Sequence, residues 1–242
     1  MKLISLNIWG GHVYQPLLNF FDAHRQIEIF CLQEVYDKAD KPITDETRKL
    51  YLNIFSDIQK KLPEHKAFFR PVVKGIYGIG MLVHQSVNVI AEGEAVIYNN
   101  PDYAGVGPSH SRILQWMECD NGHSRYTIIN VHGLWNGKGK TDSPARLQQS
   151  ENIRIFLSNI KTPVILCGDF NLRPDTQSLS ILSQDMRDLI KENGVVDTRT
   201  KFYPKEERFA DYIFTSPNLR VNQFSVLKEQ VSDHAPLFLE VE

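Results

Sequence analysis

The sequence has little cysteine: three residues, Cys31, Cys119 and Cys167, each alone inside or beside a run that reads as a strand. No Cys-x-x-Cys spacing occurs, so neither a zinc cluster nor a disulfide framework fits, and a scattered, odd set suits a reducing compartment. Long hydrophobic runs are missing too. No stretch approaches the ~20 apolar residues that a membrane-crossing helix needs, and the opening MKLISLNIWGG is too short and too polar for a secretory leader. Asn-x-Ser/Thr acceptors are also absent. The expectation is a cytoplasmic protein without a transmembrane segment. Nor does either charge predominate: 27 Lys and Arg stand against 29 Asp and Glu, a formal net charge of −2. That excludes a strongly basic coat for non-specific nucleic-acid binding and leaves room for a local basic patch.

Apolar residues are plentiful. With 42% hydrophobic and 10% aromatic content over 242 residues, and only 14 Gly and 12 Pro, the chain can bury a large core, so disordered and collagen-like classes fall away. The length suits one α/β domain covering 1–242. Short β-branched runs alternate with helical stretches. Strands are expected at Lys2–Ile8 and Ile27–Leu32, with a helix at Pro16–His24 between them. A longer amphipathic helix is expected at Thr44–Lys61, with Leu50, Ile54, Ile58 and Leu62 on one face and Asp45 and Glu46 in its first turn. Five consecutive strands follow between Ala67 and Val131, one of them beginning at Arg112. A helix at Ser143–Ile160 has Pro144 in its first turn and Leu147, Ile153, Phe156 and Ile160 on its buried face. After it come a strand at Val164–Cys167, a short helix at Gln177–Leu182, and strands at Asp211–Thr215, Leu219–Leu227 and Pro236–Val241. Two packed sheets with helices outside is the simplest arrangement.

Five segments place polar residues at strand ends: Leu6-Asn7-Ile8, Leu32-Gln33-Glu34-Val35, Val131-His132-Gly133, Gly168-Asp169-Phe170-Asn171 and Ser232-Asp233-His234-Ala235-Pro236. Three carboxylates, the amides of Asn7 and Asn171, and two imidazoles gathered at such points are costly unless paired or bound to a cation. Oxygen donors predominate, which favours Mg²⁺ or Mn²⁺ over Zn²⁺. Taken singly, each segment also has a plain reading. Glu34 can cap a turn, Asp169 and Asn171 can form an Asx turn, and Asp233-His234 can be a surface turn. If the backbone is extended at Asp169, its side chain and that of Asn171 project to the same side.

The order of LQEV, GDFN, DYIF and SDHAP resembles the endonuclease/exonuclease/phosphatase superfamily of metal-dependent phosphoesterases, from Asn7 to His234. The resemblance implies a four-layer α/β/β/α sandwich of two packed mixed sheets with the active site at one rim. It implies Glu34, Asn7 and Asp233 as metal-side residues, and Asp169 and Asn171 as the pair that orients the attacking water and holds the phosphate. It further implies His234 on the scissile phosphate, Asp211 as its partner, and His132 as the second histidine. Asp211 would then fix the ring tautomer of His234 and favour its charged form. One departure stands out: the region Gly75–Val83 offers no carboxylate to support His132.

Weaker signals surround these. Arg112 opens an apolar strand where several members of that superfamily carry a phosphate-contacting arginine, or else it is a strand-start residue in solvent. Trp135, on a loop with Lys138 and Lys140, can stack on a base or sugar or cover the core edge. Arg173 beside GDFN and the run Arg199–Arg208 add positive charge, with Phe202 and Tyr203 interleaved. Charge runs of this kind are commonly solvated. Tyr103 reads as an exposed loop aromatic. The leading functional reading is a Mg²⁺- or Mn²⁺-dependent phosphodiester hydrolase acting on nucleic acid by in-line attack of water. The alternatives are the same chemistry on a lipid headgroup or inositol phosphate, and a catalytically silent binding module. No protein partner is indicated.

Overall fold

The computed structural model describes residues 1–39, 44–45, 50–105, 107–122 and 124–242. In chain order the elements are β1 (Lys2–Asn7), α1 (Tyr14–Ala23), β2 (Ile29–Tyr36), β3 (Thr44–Asp45), β4 (Leu50–Tyr51), α2 (Ile54–Lys61), β5 (His65–Val73), β6 (Tyr77–His84), β7 (Asn88–Tyr98) and β8 (Arg112–Asp120). They continue with β9 (Arg125–His132), α3 (Pro144–Ser158), β10 (Val164–Asp169), α4 (Gln177–Ser183), β11 (Arg187–Asp188), α5 (Leu189–Glu192), β12 (Asp211–Thr215), β13 (Val221–Val226) and β14 (Leu237–Val241). One six-stranded sheet has the order β13-β14-β1-β2-β6-β5 and the other β11-β12-β10-β9-β8-β7. Each is mixed. β1 runs parallel to β2 and β9 to β10, and the other pairings within the two sheets are antiparallel.

The period of two along the strands sorts the side chains between layers. On β2, Ile29 and Cys31 join the cluster between the sheets, whereas Phe30 and Leu32 turn outward onto Leu17, Phe21, Phe55 and Ile58 of α1 and α2. Ile153, Leu179, Leu182 and Ile190 of α3, α4 and α5 cover the second sheet. The expected sandwich is therefore observed. Buried amides link its two sheets: Gln33 Nε2 donates to Asn130 Oδ1 at 2.7 Å, and Gln115 Nε2 to the Phe68 carbonyl at 2.8 Å. Each such bond contributes ~0.5–1.5 kcal/mol net, and losing one partner costs more, so the facing sheets are held in one relative position.

The helix expected over Thr44–Lys61 is realised only from Ile54 onward. Thr44–Asp45 and Leu50–Tyr51 instead pair antiparallel, and Glu46 lies outside the described residues. The Asn53 side chain accepts from the Ala39 N–H at 3.0 Å and donates to its carbonyl at 3.3 Å, holding the chain just ahead of the helix. Asp37 then accepts from Ser56 N at 3.3 Å and Oγ at 2.6 Å, serving the helix N-terminus from outside. The face of α3 also differs from expectation. Arg146, Gln149 and Ser150 are buried beside Ile153, while Leu147, Phe156 and Ile160 are only half-buried. The cause is the loop after β9, whose backbone needs partners: Arg146 Nε donates to the Leu134 carbonyl (3.2 Å) and Gln149 Oε1 accepts from Leu134 N (2.9 Å).

Candidate functional site

Strand register assembles the site. Asp169 faces His132 across the parallel β9–β10 pair and Asp211 across the antiparallel β10–β12 pair, so three strand ends meet in one row. In the other sheet Asn7 is in register with Gln33, which sets Asn7 beside Glu34. Ser232 Oγ donates to the Asn7 carbonyl at 2.7 Å and thereby ties the Asp233-His234 segment to the same rim. The close approach of β9 and β10 requires Gly168: at its φ of 140°, a Cβ would lie 2.0 Å from the Val131 carbonyl oxygen.

Two of the polar residues sit in the left-handed backbone region, at φ 54° for both Glu34 and Asn171. Such conformations cost on the order of 1 kcal/mol or more for a residue with a Cβ and persist where the surroundings enforce them. Glu34 occupies the irregularity of β2 between Leu32 and Val35, which re-aims its side chain toward the gap between the sheets. Asn171 closes an Asx turn, its N–H donating to Asp169 Oδ1 at 2.8 Å, and its Nδ2 donates to the Gly133 carbonyl at 3.3 Å. The chain is thus not extended there as the same-side argument assumed. The turn itself brings the two side chains together.

Asn7 braces the carboxylates. Its Nδ2 donates to Glu34 Oε1 at 3.1 Å and to Asp169 Oδ2 at 2.9 Å, while its Oδ1 accepts from Trp9 N at 3.0 Å. His132 Nε2 lies 3.8 Å from Glu34 and 3.9 Å from Asp169. One ligand atom from each of Glu34, His132 and Asp169 falls within 4.8 Å of the others, and the same holds for Asp169, Asp211 and His234. Burial first, and then Asp233, push Glu34 up to about 7 despite the Asn7 hydrogen bond. Carboxylates crowded in this way lack a counter-charge that a cation would supply. Glu34, His132 and Asp169 therefore suit a divalent ion by donor chemistry.

His234 Nδ1 donates to both oxygens of Asp211 at 2.8 Å, which leaves Nε2 directed toward Asp169 Oδ2, 3.6 Å away. Asp211 also accepts from Thr198 Oγ1 at 3.2 Å. The tautomer is fixed as expected, but the charged form is not favoured. Burial, followed by the like charge of Arg199, lowers His234 to about 4, outweighing its acidic neighbours. His132 is likewise held neutral by burial and then Arg112.

Glu34, His132, Asp169, Asn171, Asp233 and His234 line a cleft of about 760 Å³ that also takes in Arg112, Trp135, Lys140, Arg199 and Tyr203. Arg112 is not in solvent. It is 3% exposed, gives Nη2 to the Pro108 carbonyl at 3.0 Å, and leaves Nε and Nη1 without partners among the described residues. Trp135 is half-buried on the cleft wall, and so is Tyr103, whose hydroxyl donates to the Gly107 carbonyl at 3.1 Å. Arg173 is not brought in. It ion-pairs with Asp175 at the surface and does not line the cleft. Asp233 is turned partly away from the other carboxylates, its Oδ2 accepting from Arg199 Nη1 at 3.0 Å.

Arg199 is the main residue that sequence reasoning missed, since it opens a charge run that reads as solvated yet is 7% exposed. A signal was available in its flanking threonines. Thr198 bonds Asp211 and Thr200 bonds the Ser232 carbonyl, as expected of a strand-like segment that enters the interior.

A family model described as the endonuclease/exonuclease/phosphatase family matches residues 4–234. The chain belongs to that family, whose members are phosphoesterases. Solved structures agree on the fold. The mannosyl-6-phosphatase Bt3783 of Bacteroides thetaiotaomicron is 19% identical, with a TM-score of 0.76 over 100% of this chain and 99% of that one. An endonuclease/exonuclease/phosphatase protein from Bacteroides vulgatus is 19% identical with a TM-score of 0.75, covering 100% and 98%. D. rerio TDP2, solved with a single-strand DNA product, is 15% identical with a TM-score of 0.75, again covering 100% and 98%. No curated protein matches the sequence. Among the described residues no helix is long and apolar enough to cross a membrane.

Proposed function

We propose that the chain is a Mg²⁺- or Mn²⁺-dependent phosphodiester hydrolase acting on nucleic acid in the cytoplasm. The observation that carries this reading is the convergence of Glu34, His132 and Asp169 within 4.8 Å at the base of the cleft. Glu34 and Asp169 would hold the ion, with His132 completing the set and Asn7 and Asp233 supporting it. A bound divalent ion supplies charge neutralisation to phosphoryl oxygens that otherwise repel a nucleophile.

The remaining work falls to the chain's own groups. Asp169, oriented by Asn7 and by the Asn171 N–H, accepts the proton of the attacking water. The Asn171 amide and the two unpaired Arg112 donors face the non-bridging oxygens. Burial and Arg199 favour the neutral form of His234. An arriving phosphate opposes the effect of burial and favours protonation, so that Nε2–H donates to the phosphoryl or leaving oxygen while Asp211 holds Nδ1. The three free, buried cysteines support a reducing compartment. A sugar or inositol phosphate is the second reading, favoured by the likeness to a mannosyl-6-phosphatase.

The test is hydrolysis of bis-p-nitrophenyl phosphate with Mn²⁺ by wild type and Glu34→Gln, followed by a panel of single- and double-stranded DNA, RNA, sphingomyelin and inositol phosphates with chelator controls. Undiminished turnover by Glu34→Gln would contradict the metal seat.

A further inference from the structure

Two loops meet over one aromatic ring at the wall of the cleft. Lys140 Nζ stands 4.9 Å from the Tyr203 ring centroid and Arg199 Cζ stands 4.1 Å from it. Both cations are interior, 1% and 7% exposed, and both line the cleft. Among the described residues Arg199 has one carboxylate partner, Asp233, and its Nε has none. Lys140 donates to the neutral Phe209 carbonyl at 2.7 Å and forms no ion pair among the described residues. Burial, and then the like charge of Arg199, depress the Lys140 ammonium to about 8.

Among the described residues only Asp233 ion-pairs with either cation, while Asp169, Asp211 and Glu207 act on Lys140 without a direct bond, so both side chains keep donor capacity for an anion in the cleft. The face of the Tyr203 ring attracts both cations without using their N–H donors. The pair is also set apart from Arg112. Sheet order runs β8, β9, β10, β12, so Arg112 at the head of β8 lies on one side of Asp169. Lys140, bonded to the residue two before Asp211, and Arg199, bonded to Asp233, lie on the other. A phosphate held between Arg112 and Asn171 leaves them free for a second anion.

We propose that Lys140, Arg199 and Tyr203 form a subsite for a second phosphoryl group of the substrate, adjacent to the scissile one, so that preferred substrates carry at least two. This deepens the phosphoesterase reading and rests on it. The shared chemistry is a bisphosphate, whether on a nucleotide or on a polyol ring.

Calorimetry in Mn²⁺ tests it by comparing thymidine 3′,5′-bisphosphate with thymidine 5′-monophosphate, and inositol 1,4-bisphosphate with inositol 1-phosphate. In at least one series the bisphosphate is expected to bind about tenfold tighter or more, as charge-assisted contacts of this kind allow. Lys140→Gln should reduce that gain to within about twofold and Lys140→Arg should retain it, because the gain depends on the cation. The series showing the gain identifies the source of the second phosphate. Equal affinities for both members of both pairs in the wild type would overturn the proposal without any variant. So would a gain that survives Lys140→Gln with a wild-type circular dichroism spectrum. Should that variant not fold, Tyr203→Leu is read in its place with the same expectation. Failure to hydrolyse any phosphate ester would instead overturn the reading beneath it, and the binding ratios are measured independently of turnover.

Discussion

Glu34, His132, Asp169 and Asp211 stand on paired strands, the first three lining the cleft, whereas Tyr103, Trp135, Lys140 and Tyr203 line it from loops. The first group is positioned by ladder register, by the Asn7 brace and by buried amides joining the sheets. The second group depends on local clasps, such as Arg146 donating to the Leu134 and Thr141 carbonyls at the two ends of one loop. Register tolerates little change without repacking the core, while loops can change with little effect on the sheets. Floor and rim accordingly divide the chemistry from the choice of substrate.

The largest expected effect comes from the floor. Asp169→Asn should lower kcat toward bis-p-nitrophenyl phosphate by about 10³ with the fold intact by circular dichroism, as expected for loss of a positioned base. A loss confined to KM would assign Asp169 to binding. Next is Arg112→Met, which removes a buried guanidinium with two unpaired donors. Activity should fall about 100-fold while stability rises by roughly 1 kcal/mol, since an uncompensated buried charge is lost. Lower activity together with lower stability would show that Arg112 holds the fold rather than the substrate. At the rim, Tyr203→Ala should raise KM for an oligonucleotide about tenfold with kcat within about twofold, in line with the loss of one stacking or cation-supporting ring. An equal fall in kcat would erase the division between floor and rim.

The smallest effect belongs to the opposite rim of the sandwich. His65 is buried there, its Nε2 bonded to the Ile27 carbonyl at 2.7 Å, and burial lowers its pKa below the usual histidine value. A lowered histidine takes up its proton more readily in the unfolded chain, so its contribution is complete above roughly pH 6.5 and declines as the pH falls through that range. His65→Gln should flatten the acid limb of a stability profile and leave the pH–activity profile unchanged. A shift in the activity profile would connect the two rims.

Much of the floor was legible in the sequence because strand ends leave compact marks. LQEV and GDFN end apolar runs in polar residues and SDHAP precedes one, and these residues meet at one rim. The two sheets followed from apolar runs alternating with helical stretches, and the four-layer sandwich from the family resemblance. What was not legible depends on contacts distant in sequence. Arg199 opens a charge run that reads as solvated, and it is buried, as are Arg146 and Lys140, by loop carbonyls or residues far along the chain. The first half of the helix expected at Thr44–Lys61 had adequate periodicity, but Asn53 tied to Ala39 delays the helix start. The neutral state of His234 was likewise hidden, because its partner Asp211 is visible in the sequence and its burial beside Arg199 is not.

Titration of Mn²⁺ into chelator-treated protein, followed by calorimetry, addresses the cation seat most directly. Wild type is expected to bind saturably, with affinity reduced at least tenfold, on the order expected for removal of a ligand, in both Glu34→Gln and Asp169→Asn. Equal binding by wild type and both variants would place the ion elsewhere and contradict the assignment of Glu34, His132 and Asp169 as its seat.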